Sequence, residues 1–331
     1  MKIFIFFIKL LIVFCVIYLL FKYNIVDTFD IAIFFANKAS LILVFIIMML
    51  IILSGSYKWW LLLKSQKYNI PFFKAYLMYS SGLFFNIFMP GGAGGDMAKG
   101  YYLYSYVKKS KRTSAIFSII VDRVVGLHAL LSVSFFSMLY YLSINKSLFE
   151  FNLIFIAIGT LMGLSIIAYS LLQYFLNGLQ ISLKKNIFKK INFISNIILK
   201  LFDLLKGYGN KKNYIFKCWI ISISNHLMMI ICFLIISGIL NIQDFNSIET
   251  LIVGSLSLIV NTVPLTPGGI GIGESAFNYF STLFNKSSIS DNIAYGSIFF
   301  ITYRILFSFV CLIGAVAFII LKKPKTNFDQ E

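Results

Sequence analysis

The sequence predicts an all-α polytopic membrane helical bundle, with six full spans plus two re-entrant broken helices in an inverted-topology repeat. Three observations carry that prediction. Of the 331 residues, 59% are hydrophobic and 12% charged, with a mean hydropathy of +0.87, whereas soluble domains are about a quarter charged. Six apolar runs reach the about 20 residues that a helix needs to cross a hydrocarbon core of about 30 Å. Two further apolar stretches carry the same interruption, Pro-Gly-Gly.

The first run, 3–21, is too long for the apolar part of a secretion signal, and no small-residue cleavage pattern follows it. It is expected to stay as the first span. The others lie at 40–63, 113–143, 151–176, 214–240 and 292–321. The stretches 72–90 and 250–285 break at Pro90-Gly91-Gly92 and Pro267-Gly268-Gly269, where a continuous helix would lose hydrogen bonds and gain backbone freedom. The loop 177–217 alternates lysines with Ile, Phe and Leu, which suits a helix lying on the inner membrane surface.

Basic residues set the direction. They crowd at Lys58, Lys64, Lys67 and Lys74; at Lys99, Lys108, Lys109, Lys111 and Arg112; at nine lysines from Lys184 to Lys217; and at Lys322, Lys323 and Lys325. These regions are expected to be cytoplasmic. The connections 22–39, 144–150, 241–249 and 286–291 hold four lysines against six acids and are expected to face outward. Each interrupted stretch then has both flanks on one side, so each is drawn as a re-entrant hairpin, one from each face. The plan is a multi-pass protein of the plasma (inner) membrane with both termini cytoplasmic. Its first repeat is 1–150, with re-entrant segment 72–105, and its second, inverted repeat is 151–331, with re-entrant segment 250–285.

The net charge of +17 is read as positive-inside topology, with attraction to anionic lipid at the inner leaflet. No soluble unit offers the basic face that nucleic-acid binding requires, so no nucleic-acid partner is expected. Cys15, Cys218, Cys232 and Cys311 all fall in apolar segments without a close pair and read as small hydrophobes. His128 and His226 lack neighbours at ligand spacing; no metal or other cofactor is expected. There is also no Asp-x-Asp pair, nucleophile elbow or His-rich cluster, which argues against an enzyme.

The two breaks share a plan. One reads Asn86-Ile-Phe-Met-Pro-Gly-Gly-Ala-Gly-Gly-Asp96, the other Asn261-Thr-Val-Pro-Leu-Thr-Pro-Gly-Gly-Ile-Gly-Ile-Gly-Glu274. Each is followed by a long apolar helix carrying an arginine, Arg123 at 27 residues after Asp96 and Arg304 at 30 residues after Glu274. Three crossings per half would place the second half upside down, an architecture in which transporters build a site between halves.

A broken helix exposes N–H groups suited to phosphate or carboxylate, and arginine recognises the same groups in bidentate fashion. Arg123, Arg304, Asn86, Gly91, Gly92, Asn261, Gly268 and Gly269 are therefore the candidate substrate-binding residues. An unpaired charge at the bilayer centre costs at least about 2.5–3.5 kcal/mol, so both arginines are expected to face inward toward a partner or a wet cavity. The partners open to them are Asp96 or Asp122 for Arg123 and Glu274 for Arg304, in a charge-pairing role. Alternatively, Asp96 and Glu274 take up protons for coupling. Asn225 and His226 are read as helix-to-helix hydrogen-bonding residues rather than cavity lining. Lys9 is read as snorkelling to the inner surface, and Trp59, Trp60 and Trp219 as interfacial anchors.

With Thr266-Pro-Gly-Gly-Ile-Gly-Ile-Gly-Glu274, the segment Asn86 to Gly100 and Lys58-Trp59-Trp60, the chain resembles the flippase-like family that includes the transmembrane region of lysylphosphatidylglycerol synthases. The resemblance implies a membrane domain that moves a lipid with an anionic, phosphate-linked or glycosylated headgroup between leaflets. Synthases of that family also carry a large soluble aminoacyl-transfer domain, whereas the sequence ends at Glu331, ten residues after its last expected span. Lysyl transfer is accordingly not expected. The alternatives are a membrane subunit supporting a lipid- or polysaccharide-synthesis enzyme of the envelope, and a component of a lipid-linked glycosyl or aminoacyl transferase. Transport of a small soluble anion would use the same arginines.

Overall fold

A computed structural model describes residues 37–87, 93–108, 111–145, 151–165, 167, 207–208, 211–239, 246–263, 266, 269–282, 284 and 295–321. All regular structure among them is helical: α1 (Lys38–Ser65), α2 (Phe72–Asn86), α3 (Ala93–Tyr106), α4 (Arg112–Ile144), α5 (Phe151–Ser165), α6 (Lys212–Ile239), α7 (Ser247–Asn261), α8 (Ile272–Thr282), α9 (Tyr295–Cys311) and α10 (Ile313–Ile320). The span 3–21, Lys9, Cys15, the loop segment 177–206 and the lysines after Leu321 lie outside the described residues.

Four helical stretches are long and apolar enough to cross a membrane: α1, α4, α6 and Phe299–Ile320, which joins most of α9 to α10. These are four of the six expected spans; of the other two, 3–21 lies outside the described residues and 151–176 is described as far as α5 and residue 167. The remaining helices are short. α2 and α7 have 15 residues each, a length of about 22 Å at 1.5 Å per residue, which falls short of a hydrocarbon core of about 30 Å.

Both interrupted stretches fold as helix–break–helix hairpins, α2 against α3 and α7 against α8. Local chemistry sets the ends of α7. Asn246 Oδ1 accepts from Ile248 N at 3.1 Å and Glu249 N at 2.9 Å, while Glu249 Oε2 accepts from Asn246 N at 3.0 Å. This reciprocal box satisfies N–H groups that have no partner inside the helix. At the other end the chain stops being helical just ahead of the Pro-Gly-Gly.

The helix contacts follow a pattern that an exchange of helices preserves. If α1 corresponds to α6, α2 to α7, α3 to α8 and α4 to α9 with α10, exchanging them turns the α1–α2 contact into α6–α7 and the α3–α4 contact into α8–α9. The same exchange turns α2 on α10 into α7 on α4 and maps the α1–α6 contact onto itself. Each hairpin sits in its own core. Trp59, Met78, Leu103, Ile119 and Ala317 pack the first hairpin against α1, α4 and α10. Phe233, Phe277, Phe299, Phe300 and Tyr303 pack the second against α6 and α9, within a larger cluster that also includes α1 and α4. At Gly314, α10 comes onto the backbone of α2: a Cβ built there would overlap the backbone carbonyl oxygen of Ser80.

Candidate functional site

The second break is held by one carboxylate and one guanidinium. α7 ends at Asn261, and the turn that follows is closed by Gly269 N donating to Thr266 O at 3.1 Å and by Thr266 Oγ1 donating to Ile270 O at 2.8 Å. Gly269 sits at φ 73°, a left-handed conformation that other L-residues adopt only at a cost. Glu274, in the first turn of α8, accepts from Gly271 N at 2.9 Å through Oε2, where the helix dipole favours a negative charge.

Arg304 reaches in from α9. Its Nε lies 3.0 Å from Glu274 Oε1, and Nη2 donates to Gly269 O at 2.9 Å, Asn261 Oδ1 at 3.2 Å and Glu274 Oε2 at 3.3 Å. One guanidinium thereby ties the end of α7, the turn and the start of α8 together. The pair is mostly buried, with side-chain exposures of 17% for Arg304 and 7% for Glu274.

The first break lies between α2 and α3. Asn86, the last residue of α2, accepts from Gly95 N at 2.6 Å, which bonds the two arms directly. A Cβ on Gly95 would overlap Asn86 Oδ1 and lie 2.6 Å from Gly82 O. Gly273, which also directly precedes its carboxylate, holds the equivalent place, since a Cβ there would lie 3.0 Å from Asn261 Oδ1.

From Asp96 a chain of alternating charges runs across three helices. Asp96 Oδ2 is 3.0 Å from Arg123 Nε, Asp96 Oδ1 is 3.2 Å from Lys99 Nζ, and Lys99 Nζ is 3.8 Å from Asp122 Oδ2. Asp122 Oδ1 then lies 2.9 Å from Lys58 Nζ on α1. Lys99 also sits between the rings of Trp59 and Tyr79, at 5.6 and 5.2 Å from their centroids, and Trp59 Nε1 donates to Ser118 Oγ at 3.1 Å. Among the described residues, three cations thus meet two carboxylates in this cluster, whereas at the second break one meets one.

The structure therefore brings Asn86, Asp96, Asp122 and Arg123 together at one break and Asn261, Gly269, Glu274 and Arg304 at the other. Gly91, Gly92 and Gly268 lie outside the described residues. Of the two partners open to Arg123, Asp96 is the one it meets; Asp122 turns to the lysines.

Three readings are corrected. The Arg123 side chain is 46% exposed rather than inward-facing, because Asp122, Val125 and Ala129 occupy the buried face of α4 and the next position is rotated away from it. Lys58 and Lys99, counted with the basic residues that set the direction, are buried and ion-paired rather than loop charges in solvent. Trp59 is fully buried and not an interfacial anchor, because it covers Lys99. Two sequence signals pointed to these lysines: Lys58 lies inside the apolar run 40–63, and Lys99 follows Asp96 at i,i+3. Asn225 bonds with Ser54 of α1, and His226 Nε2 meets Gly126 O of α4 at 3.1 Å, both helix-to-helix contacts as expected.

Long apolar helices holding two broken hairpins, with charge clusters at the breaks, define a multi-pass membrane protein. The family model described as "Lysylphosphatidylglycerol synthase TM region" matches residues 6–308, and the chain belongs to that family, which ties it to the handling of a membrane lipid. No curated protein and no solved structure matches it.

Proposed function

We propose that this protein is a flippase-like transporter that moves a lipid with an anionic or phosphate-linked headgroup between the leaflets of the plasma membrane. The observation that carries the reading is the gathering of three cations, Lys58, Lys99 and Arg123, with two carboxylates among membrane helices beside a helix break. A headgroup phosphate meeting Arg123 and Lys99 competes with Asp96 for them and keeps strong acceptors around charges that water no longer reaches. The tails remain in lipid while the headgroup crosses.

Two further features support the reading. The hairpin arms are too short to span, which suits re-entrant elements. The exchange of packing partners between halves suits an inverted repeat with six spans, both termini cytoplasmic and the site between the halves. The proposal assigns movement, not lysyl transfer or other chemistry, to these residues.

The test is reconstitution in vesicles with a headgroup-labelled anionic lipid, read by quenching of outer-leaflet label with an impermeant reagent. Arg123→Ala is expected to abolish wild-type movement while eluting and melting as the wild type does. Undiminished movement in that variant removes Arg123 from the mechanism. Uptake of a soluble headgroup analogue in place of the labelled lipid would reassign the protein to small-anion transport.

A further inference from the structure

The first charge cluster uses only one face of α1. Lys58 and Trp59 lie in the bundle, while Tyr57, Trp60 and Lys64 recur at three- and four-residue spacing on another face. Between this end of α1 and the first turns of α6 lies a cavity of about 480 Å³, whose lining includes Lys64 and Tyr57 from one helix and Lys217 and Tyr214 from the other.

Two properties suit it to a ligand. First, both lysines are exposed, and among the described residues neither has a carboxylate within ion-pair distance. Second, the aromatic wall is fixed. Trp60 Nε1 donates to Ile70 O at 2.9 Å, its ring centroid lies 5.6 Å from that of Tyr57 and 5.8 Å from that of Phe72, and Lys64 Nζ stands 4.8 Å above it. From Tyr57 toward the middle of α1 the same helix face continues as Leu53, Leu50 and Ile46, all exposed and apolar. A cationic end, an aromatic collar and an apolar strip thus follow one another along one face.

We infer that this cavity binds an anionic glycerophospholipid of the surrounding membrane, at a site separate from the clusters of Arg123 and Arg304. The phosphodiester lies between Lys64 and Lys217, the glycerol ester region lies against Tyr57 and Trp60, and an acyl chain follows Leu53, Leu50 and Ile46. A free phosphate would satisfy the lysines and leave the strip unused, which is why the ligand is a lipid. The inference goes beyond lipid movement and does not rest on it.

Native mass spectrometry of the full chain in detergent, titrated with phosphatidylglycerol or phosphatidylcholine, tests the site. Phosphatidylglycerol is expected to be retained preferentially, and Lys64→Gln/Lys217→Gln to weaken its retention on the order of thirtyfold, since each interfacial lysine contributes a factor of several to anionic-lipid attraction. Lys67→Gln/Lys74→Gln, which removes the same charge outside the cavity, is expected to change it less than threefold. Arg123→Ala is expected to retain the lipid whether or not it moves labelled lipid, which keeps the two proposals distinguishable. Equal loss in both double variants, no preference between the lipids, or displacement of the lipid by millimolar inorganic phosphate would each overturn the site.

Discussion

The two hairpins begin from one sequence plan and end with different electrostatics. At the second break, Arg304 and Glu274 form a mostly buried, balanced pair that also binds Asn261 and the Gly269 carbonyl. At the first, the equivalent arginine is half exposed and hands Asp96 on to Lys99, Asp122 and Lys58. The second guanidinium is committed to holding its own backbone in shape. The first sits on a chain that runs through Asp96, Lys99 and Asp122 to Lys58. A shared motif therefore carries a mostly buried clamp at one break and a half-exposed rim at the other.

The sharpest way to break this contrast is to remove each arginine and measure melting in detergent. Arg304→Ala leaves Glu274 buried without its partner and is expected to destabilise by about 3–5 kcal/mol. Arg123→Ala, removing a side chain that is 46% exposed, is expected to fall below about 1 kcal/mol. Equal losses would end the distinction between clamp and rim.

An intermediate effect is expected at the close approach within the first hairpin. Gly95→Ala drives a Cβ against Asn86 and the Gly82 carbonyl, and the backbone on that side cannot rotate away. A loss of about 1–3 kcal/mol is expected by the same melting measurement, typical of overpacking. An unchanged melting temperature would mean that the two arms are not held at this separation.

The smallest effect separates the two asparagines. Asn86→Ala strands the Gly95 N–H and is expected to cost about 1–2 kcal/mol. Asn261→Ala leaves Arg304 its bonds to Glu274 and Gly269 O and is expected to cost about half as much. A reversed order would place the organising contact of the second hairpin at Asn261 instead of Glu274.

Much of this was readable in advance, for identifiable reasons. The ends of α1, α4 and α6 fall within two residues of the runs 40–63, 113–143 and 214–240, because the demand for continuous apolar length leaves little choice. The pairing of Arg304 with Glu274 was among the expectations, because a charge inside such a bundle needs a partner. The burial of Lys58 and Lys99 is not legible in the basic-residue count, because counting by region assigns a side of the membrane and says nothing of a lysine's surroundings. Only their carboxylate neighbours on other helices show it. Arg123 was misplaced by helical phase: with Asp122 taking the inner position, its neighbour lies about 100° round the axis.

The contact between Gly314 and Ser80 has a mechanical consequence. Side chains that interdigitate can yield by changing rotamer, but a main-chain carbonyl seated where a methyl group would be has no such slack. Sliding α10 along α2 would lift the carbonyl out of its notch and force the two rods apart. The chain's last described helix is thereby keyed to the first hairpin.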